Sequence, residues 1–274
     1  MSMRPAFVFF LVFCVLTAFG GAVFAQSVVQ KRNAPQHVVL YGEENNPPYA
    51  YLQGNVMMGI YSDILRRAAL QMPQYDIEFS PVPFKRGIDL LKRGKIMGFY
   101  PPYLKPARDW VERYSVPVVT QTPVVLCTDD FARYRTLLNY PYDYIGARFG
   151  NTSGYKMAGQ ALFDMAKRHE VTLEEAHTTE INLRRLLAGR IDCYVNDRRA
   201  IDVALRAIGP ASDEGYYHLR ETALLGSHQG GIAYGPDDAG KWPFRDDFAN
   251  ALDDVLRKMH ANGEIDAILK GYMM

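Results

Sequence analysis

The sequence predicts an α/β protein built as two lobes of similar topology, and three observations carry that prediction. Extended and amphipathic helical patterns alternate between residues 37 and 100. A β-α-β-α-β order implies a parallel sheet with helices on its faces. One short pattern then occurs twice, as Leu90-Leu91-Lys92-Arg93-Gly94-Lys95-Ile96-Met97 and as Leu186-Leu187-Ala188-Gly189-Arg190-Ile191-Asp192. Each copy reads as a helix end, a glycine, a basic residue and a strand start, at matching places in two βα series. Finally, two extended stretches, 117–126 and 228–234, are suited to crossing between lobes. Two series joined by two crossings leave a cleft between them.

Taken in order, His37 to Tyr41 reads as a first strand, running into a loop whose Pro47-Pro48 stops any helix. Gly59 to Gln71 predicts an amphipathic helix with Ile60, Ile64 and Ala68 on one face and Arg66 and Arg67 on the other. A strand around Ile77 and Phe79 follows, then Pro83 and a helix from Lys85 to Arg93 that ends at Gly94. Ile96 to Tyr100 is the next strand. The second series opens with a strand at Tyr144 to Phe149, a tight loop at Gly150 to Gly154 and a helix from Tyr155 to Arg168. A helix at Ile181 to Ala188 and a strand at Arg190 to Asn196 follow, and Arg198 to Ala207 reads as another helix. In the last long helix Phe244, Phe248, Leu252, Val255 and Met259 form one apolar stripe.

Composition narrows the function. The 274 residues are 48% hydrophobic and 22% charged, an ordinary globular balance. A net charge of +1, from 31 basic and 30 acidic residues, leaves no electrostatic footprint for nucleic acid. The expected partner is a small molecule. Residues 1–25 read as a signal peptide, with Arg4, an apolar run from Ala6 to Phe19, Gly20-Gly21 and the site Val23-Phe24-Ala25. Cleavage is expected before Gln26, giving an exported, periplasmic chain; the rival is an uncleaved anchor. Cys127 and Cys193 then remain as an even pair in an oxidising compartment. They form either a disulfide between adjacent strands or two buried thiols, and the sequence does not choose.

The stretch 94–118 holds the first candidate for ligand binding. Pro101 and Pro102 force a turn at the end of a strand, and Arg108 stands just behind it. Ligands of α/β proteins sit beyond the carboxyl ends of the strands, where a guanidinium can grip a carboxylate with two parallel hydrogen bonds. The alternative is a surface arginine paired with Asp109 or Glu112.

Set side by side, these residues resemble the bacterial extracellular solute-binding proteins of family 3, the amino-acid-type periplasmic receptors. The resemblance is carried by Asn46-Pro47-Pro48-Tyr49, Gly59-Ile60-x-x-Asp63-Ile64, Leu90-Leu91-x-x-Gly94 and Arg108 with Tyr114-Ser115-x-Pro117. Gly150-Asn151-Thr152-Ser153, Leu187-x-Gly189-Arg190-Ile191-Asp192, Asp197 and Gly263-Glu264-Ile265 continue it to the C-terminus. It implies a two-lobe clamshell (type II) fold, with lobe one at residues 34–119 plus 231–274 and lobe two at 120–230.

It also implies a ligand set. Arg108 and Thr152 would hold a carboxylate, Asp197 an ammonium, and Phe84 and Tyr49 the side chain, with Asn151 and Tyr103 completing the set. For Asp197 the alternative is a helix N-cap before Arg198, and for Phe84 plain core packing. Two departures stand out. Met97 occupies a place where the family usually has Asp, and Tyr100-Pro101-Pro102-Tyr103 replaces hydroxyl residues before the arginine. The loop resembles a divergent branch carrying a segment like Pro83-Phe84-Lys85-Arg86.

The function so implied is capture of a small carboxylate-bearing solute, an amino acid or relative, by a monomer that serves a membrane importer of the ABC type or a membrane sensor. No cofactor or metal is expected. Enzyme signals are thin: Ser153-Gly154-Tyr155-Lys156 matches S-x-x-K without its companion motifs. The enzyme alternative is a periplasmic lyase of the cyclohexadienyl dehydratase type, which looks like a repurposed binding protein and needs a general acid in the cleft.

Overall fold

A computed structural model describes residues 34–104, 108–209 and 218–272. The signal segment with its cleavage site lies outside the described residues. Two five-stranded sheets form the frame, one in each lobe. In the first, β1 (Gln36–Glu43) is flanked in parallel by β5 (Tyr75–Val82) and β6 (Gly98–Tyr100). Antiparallel strands β15 (Ala233–Tyr234) and β7 (Arg113–Tyr114) complete it, in the order β5-β1-β6-β15-β7. In the second, β10 (Arg148–Thr152) runs parallel to β11 (Thr172–Ala176) and β12 (Cys193–Asp197). The antiparallel strands β9 (Pro123–Thr128) and β13 (Leu219–Leu224) extend it.

The two crossings are now visible as one ribbon. β8 (Val119–Gln121) and β14 (His228–Gly230) pair antiparallel outside both sheets. A small hairpin sheet of β2 (Asn45–Asn46), β3 (Ala50–Gln53) and β4 (Val56–Met58) sits beyond β1 and has no counterpart in the sequence reading.

Periodicity explains the cores. Helix α1 (Ile60–Ala69) buries Ile60, Ile64 and Ala68 and leaves Arg67 in solvent, while the longest helix, α7 (Arg245–Ala261), buries Phe248, Leu252, Val255 and Met259. These two stripes meet Val38 and Leu40 of β1 in one cluster. Each such side chain contributes about 1.5–3 kcal/mol relative to exposure. In the second lobe β9 is covered on both faces: Val125 and Cys127 join one cluster, Val124 and Leu126 the other. That is why it reads as an unbroken apolar run rather than an alternating one. Cys127 and Cys193 are opposite one another on β9 and β12 and form a disulfide, which resolves the alternative the sequence left open.

Two local expectations need correction. The strand expected at Tyr144 to Phe149 begins only at Arg148 and runs through Asn151 and Thr152, residues expected in a loop. Tyr144 closes a 3-10 turn instead, and its ring packs at 5.8 Å from Phe149, so its apolar character serves the core and not a strand. The following helix, α4 (Gly159–Lys167), starts four residues after Tyr155. Tyr155 itself is held in a turn by the bond from its N–H to the Thr152 carbonyl and packs toward the other lobe. Glu174 and Glu175 lie on edge strand β11, whose charged residues suit an exposed edge.

Candidate functional site

Parallel strands β1 and β6 end side by side, with Gly42 opposite Tyr100, so Glu43, the last residue of β1, and Pro101, just after β6, stand at the end of the sheet. Next to them β5 runs into Pro83, and Phe84 opens helix α2 (Phe84–Lys92). Across the gap β10 ends at Thr152, and a turn with Gly154 at φ 83° returns the chain. A Cβ on Gly154 would stand 3.2 Å from the Lys85 Cβ, so the turn presses against α2 of the first lobe. The Tyr155 ring then meets Phe84 edge-on at 4.8 Å between centroids.

These strand ends line a small pocket that opens to solvent on one side. The first lobe lines it with Glu43, Asn46, Phe84, Pro101, Tyr103 and Arg108. Gln121 enters from the ribbon, and Tyr155, Lys156 and Met157 from the second lobe.

Of the residues expected from the sequence, the structure brings Arg108, Tyr103 and Phe84 together here. Arg108 Nη1 donates to the Tyr103 carbonyl at 3.2 Å, and the guanidinium makes no ion pair among the described residues. Its alternative partner Glu112 is taken by Arg245 at 2.7 Å. Tyr103 is fixed by a bridge to Gly230 of the ribbon and by stacking on His228 at 5.0 Å. Phe84 does double duty, packing on Phe99 at 5.6 Å as well as lining the cavity.

The other expected residues lie elsewhere. Thr152 is in a neighbouring groove that shares Glu43 and Phe84, and its Oγ1 is 2.8 Å from the Tyr194 hydroxyl. Asn151 is buried and donates to the carbonyls of Thr152 and Tyr155, bracing the turn. Tyr49 and Asp197 line a separate cavity and bond to each other, the Tyr49 hydroxyl donating to Asp197 Oδ1 at 2.6 Å. Asp197 also N-caps helix α6 (Arg198–Ile208), accepting from the N–H groups of Arg199 and Ala200 through Oδ1. Its Oδ2 accepts from Thr122 N–H at 2.6 Å. The capping alternative is thus realised in full.

Sequence reasoning missed Glu43, Gln121 and Tyr155. Glu43 is only 3% exposed, accepting from the Tyr155 hydroxyl at 2.5 Å and from Asn46 Nδ2 at 2.9 Å. Burial pushes its carboxyl up to about 8, against the lowering effect of those two hydrogen bonds. At neutral pH it is therefore protonated. The available signal was an acid at the carboxyl end of the first parallel strand. The Tyr155 hydroxyl is held far above its ordinary range, by burial first and the neighbouring Glu43 second. Gln121, 3% exposed on β8, has an amide Nε2 with no acceptor. Between Thr120 and Thr122 in an extended run, nothing in the sequence marks Gln121.

Comparison with known proteins agrees with this architecture. An ancestral arginine-binding protein bound to arginine superimposes with a TM-score of 0.69 at 18% identity, covering 88% of this chain and 100% of that one. A histidine kinase sensor domain with similarity to periplasmic binding proteins gives 0.70 at 17% identity, over 87% and 96%. The ancestral amino acid-binding protein AncCDT-1, a precursor of cyclohexadienyl dehydratase, gives 0.64 at 16%, over 87% and 95%. A sequence search of curated proteins finds no match. The family model for bacterial extracellular solute-binding proteins, family 3, matches residues 38–274. With two sheets, a paired crossing ribbon and a cavity at the strand ends, the chain belongs to the bacterial extracellular solute-binding proteins of family 3.

Proposed function

We propose that the protein captures a small carboxylate-bearing solute, an amino acid or a related acid, in the cavity between its lobes and presents it to a membrane importer. One observation carries the reading: the Arg108 guanidinium lines that cavity without an acidic partner among the described residues. An unpaired arginine fork in a half-buried site is matched to a carboxylate. Phe84, Tyr103 and Met157 supply apolar walls. Thr152 and Asn151 act through the turn that carries Tyr155, and Tyr49 with Asp197 through closure of the lobes.

Lobe one takes residues 34–119 and 231–274, and lobe two residues 120–230. Both divisions fall in or beside the β8–β14 ribbon, where a hinge has least to disrupt. Ligand bridging the lobes shifts the hinge toward the closed shape that a membrane partner reads. The chain works as an exported periplasmic monomer.

A thermal-shift screen of amino acids, dicarboxylates and aromatic acids tests this reading. Ligand at a hundred times its dissociation constant adds about 2.7 kcal/mol, a clear rise in melting temperature. No shift with any acid contradicts it.

A second reading, a lyase on the same fold, draws on one observation, the buried Glu43 carboxyl in the pocket lining, which burial pushes up to about 8, in the range of a general acid. Dehydration of a cyclohexadienyl acid, followed by ultraviolet absorbance, distinguishes it; the binding-protein reading expects no turnover.

A further inference from the structure

The polar groups around the cavity are unevenly matched. On the donor side stand the Arg108 guanidinium and Gln121 Nε2, the latter buried and without an acceptor. Lys156 also lines the pocket, with its ammonium 4.1 Å over the Phe163 ring. On the acceptor side no carboxyl oxygen of the lining is unengaged. Asp197 belongs to another cavity, and both its oxygens are engaged, by the Tyr49 hydroxyl and by the N–H groups of Thr122, Arg199 and Ala200. Glu43 does line the cavity, but Tyr155 and Asn46 hold its two oxygens and burial keeps it uncharged at neutral pH.

A solute ammonium would therefore meet the Arg108 guanidinium and no lining carboxylate with an unengaged oxygen, which is unfavourable. A solute with a single carboxylate would satisfy Arg108 and leave Gln121 as it is. A buried amide donor without a partner is destabilising, so an occupant that reaches it is favoured over one that does not.

We propose that the cavity takes an acid that lacks an ammonium group and carries a second oxygen acceptor, and that Gln121 reads that second acceptor. Short dicarboxylates and 2-oxo dicarboxylates have this chemistry. The assignment rests on Arg108 as the carboxylate anchor.

Calorimetric titration of the purified protein with succinate, glutarate, 2-oxoglutarate, butyrate and L-glutamate tests it at neutral pH. At least one of the three amine-free diacids should bind tenfold or more tighter than both butyrate and L-glutamate. Gln121→Leu should weaken that diacid five- to tenfold and leave butyrate within twofold, with a melting temperature near the parent's. Gln121→Glu, which places an acceptor where the second acceptor lands, should weaken the diacid further than the leucine variant does. L-Glutamate binding as tightly as the diacids, equal losses for butyrate and diacid in Gln121→Leu, or no binding of any diacid at millimolar concentration each overturns the proposal. Arg108→Ala separates the two levels. Unchanged affinity for every acid in that variant removes the carboxylate anchor itself, whereas failure at Gln121 alone leaves the anchor standing.

Discussion

Two corners of the interlobe boundary are built from the same parts and end up with opposite properties. At one, Asp197 of the second lobe accepts a hydrogen bond from Tyr49 of the first. At the other, Glu43 of the first lobe accepts one from Tyr155 of the second. Both carboxyls end a strand, and both are at most 3% exposed. The difference lies in the backbone. Asp197 receives three main-chain N–H groups besides its tyrosine, two of them from the first turn of α6. Glu43 receives none among the described residues, only the Asn46 amide besides its tyrosine. Backbone donors fixed by a helix start replace the water a carboxylate loses on burial. Without them burial wins, and the Glu43 carboxyl stays protonated to about pH 8. One corner is fastened; the other is poised.

Several substitutions probe that contrast. The fastened corner stands on β12, which the Cys127–Cys193 disulfide ties to β9 across 66 residues of chain. Replacing both cysteines by serine should cost about 4 kcal/mol by loop-closure entropy, seen as a lower midpoint in denaturant. Asp197→Ala strips the α6 cap and leaves Tyr49 without its acceptor, so a loss of about 3 kcal/mol is expected. Glu43→Gln keeps the shape of an uncharged carboxyl and should cost under about 1 kcal/mol, the sharpest difference between the corners. If the two substitutions prove equally costly, the backbone-donor account of the contrast fails.

The pH dependence follows with a definite sign. A carboxyl raised in the fold adds stability in full below its ordinary value of 4.5, and that stability is lost as pH climbs through about 8. Parent melting temperatures should therefore fall from pH 5 to pH 9 relative to Glu43→Gln. The gap should reach about 2 kcal/mol, less than the full shift implies, because opening of the lobes rehydrates the carboxylate. Tyr155→Phe and Tyr49→Phe are the mildest probes, at about 1 kcal/mol each. The second should be the smaller, since Asp197 keeps its three main-chain donors.

Much of this architecture is legible in the sequence, and the limits have physical causes. Helices α1 and α7 declare themselves because one face of each is apolar at helical spacing and the other is charged. The paired crossings follow from two extended stretches with prolines and glycines at their ends. Arg108 is legible because proline forces the chain to turn at a strand's end. Glu43 and Gln121 are not, because their significance comes from what surrounds them in space, an aromatic wall and a missing acceptor. Tyr144 misleads for a related reason: an apolar ring in a 3-10 turn has the same sequence signature as one in a strand. Asp197 shows a third limit, since an N-cap and an ammonium ligand call for the same residue at the same position.

The central claim is that a solute carboxylate binds at Arg108 between the lobes. Its most direct test is calorimetric titration of the strongest-binding acid into the parent and into Arg108→Ala, with melting temperatures as the folding control. A loss of tenfold or more, about 1.4 kcal/mol, at unchanged stability is the predicted result. Affinity within threefold of the parent would contradict it.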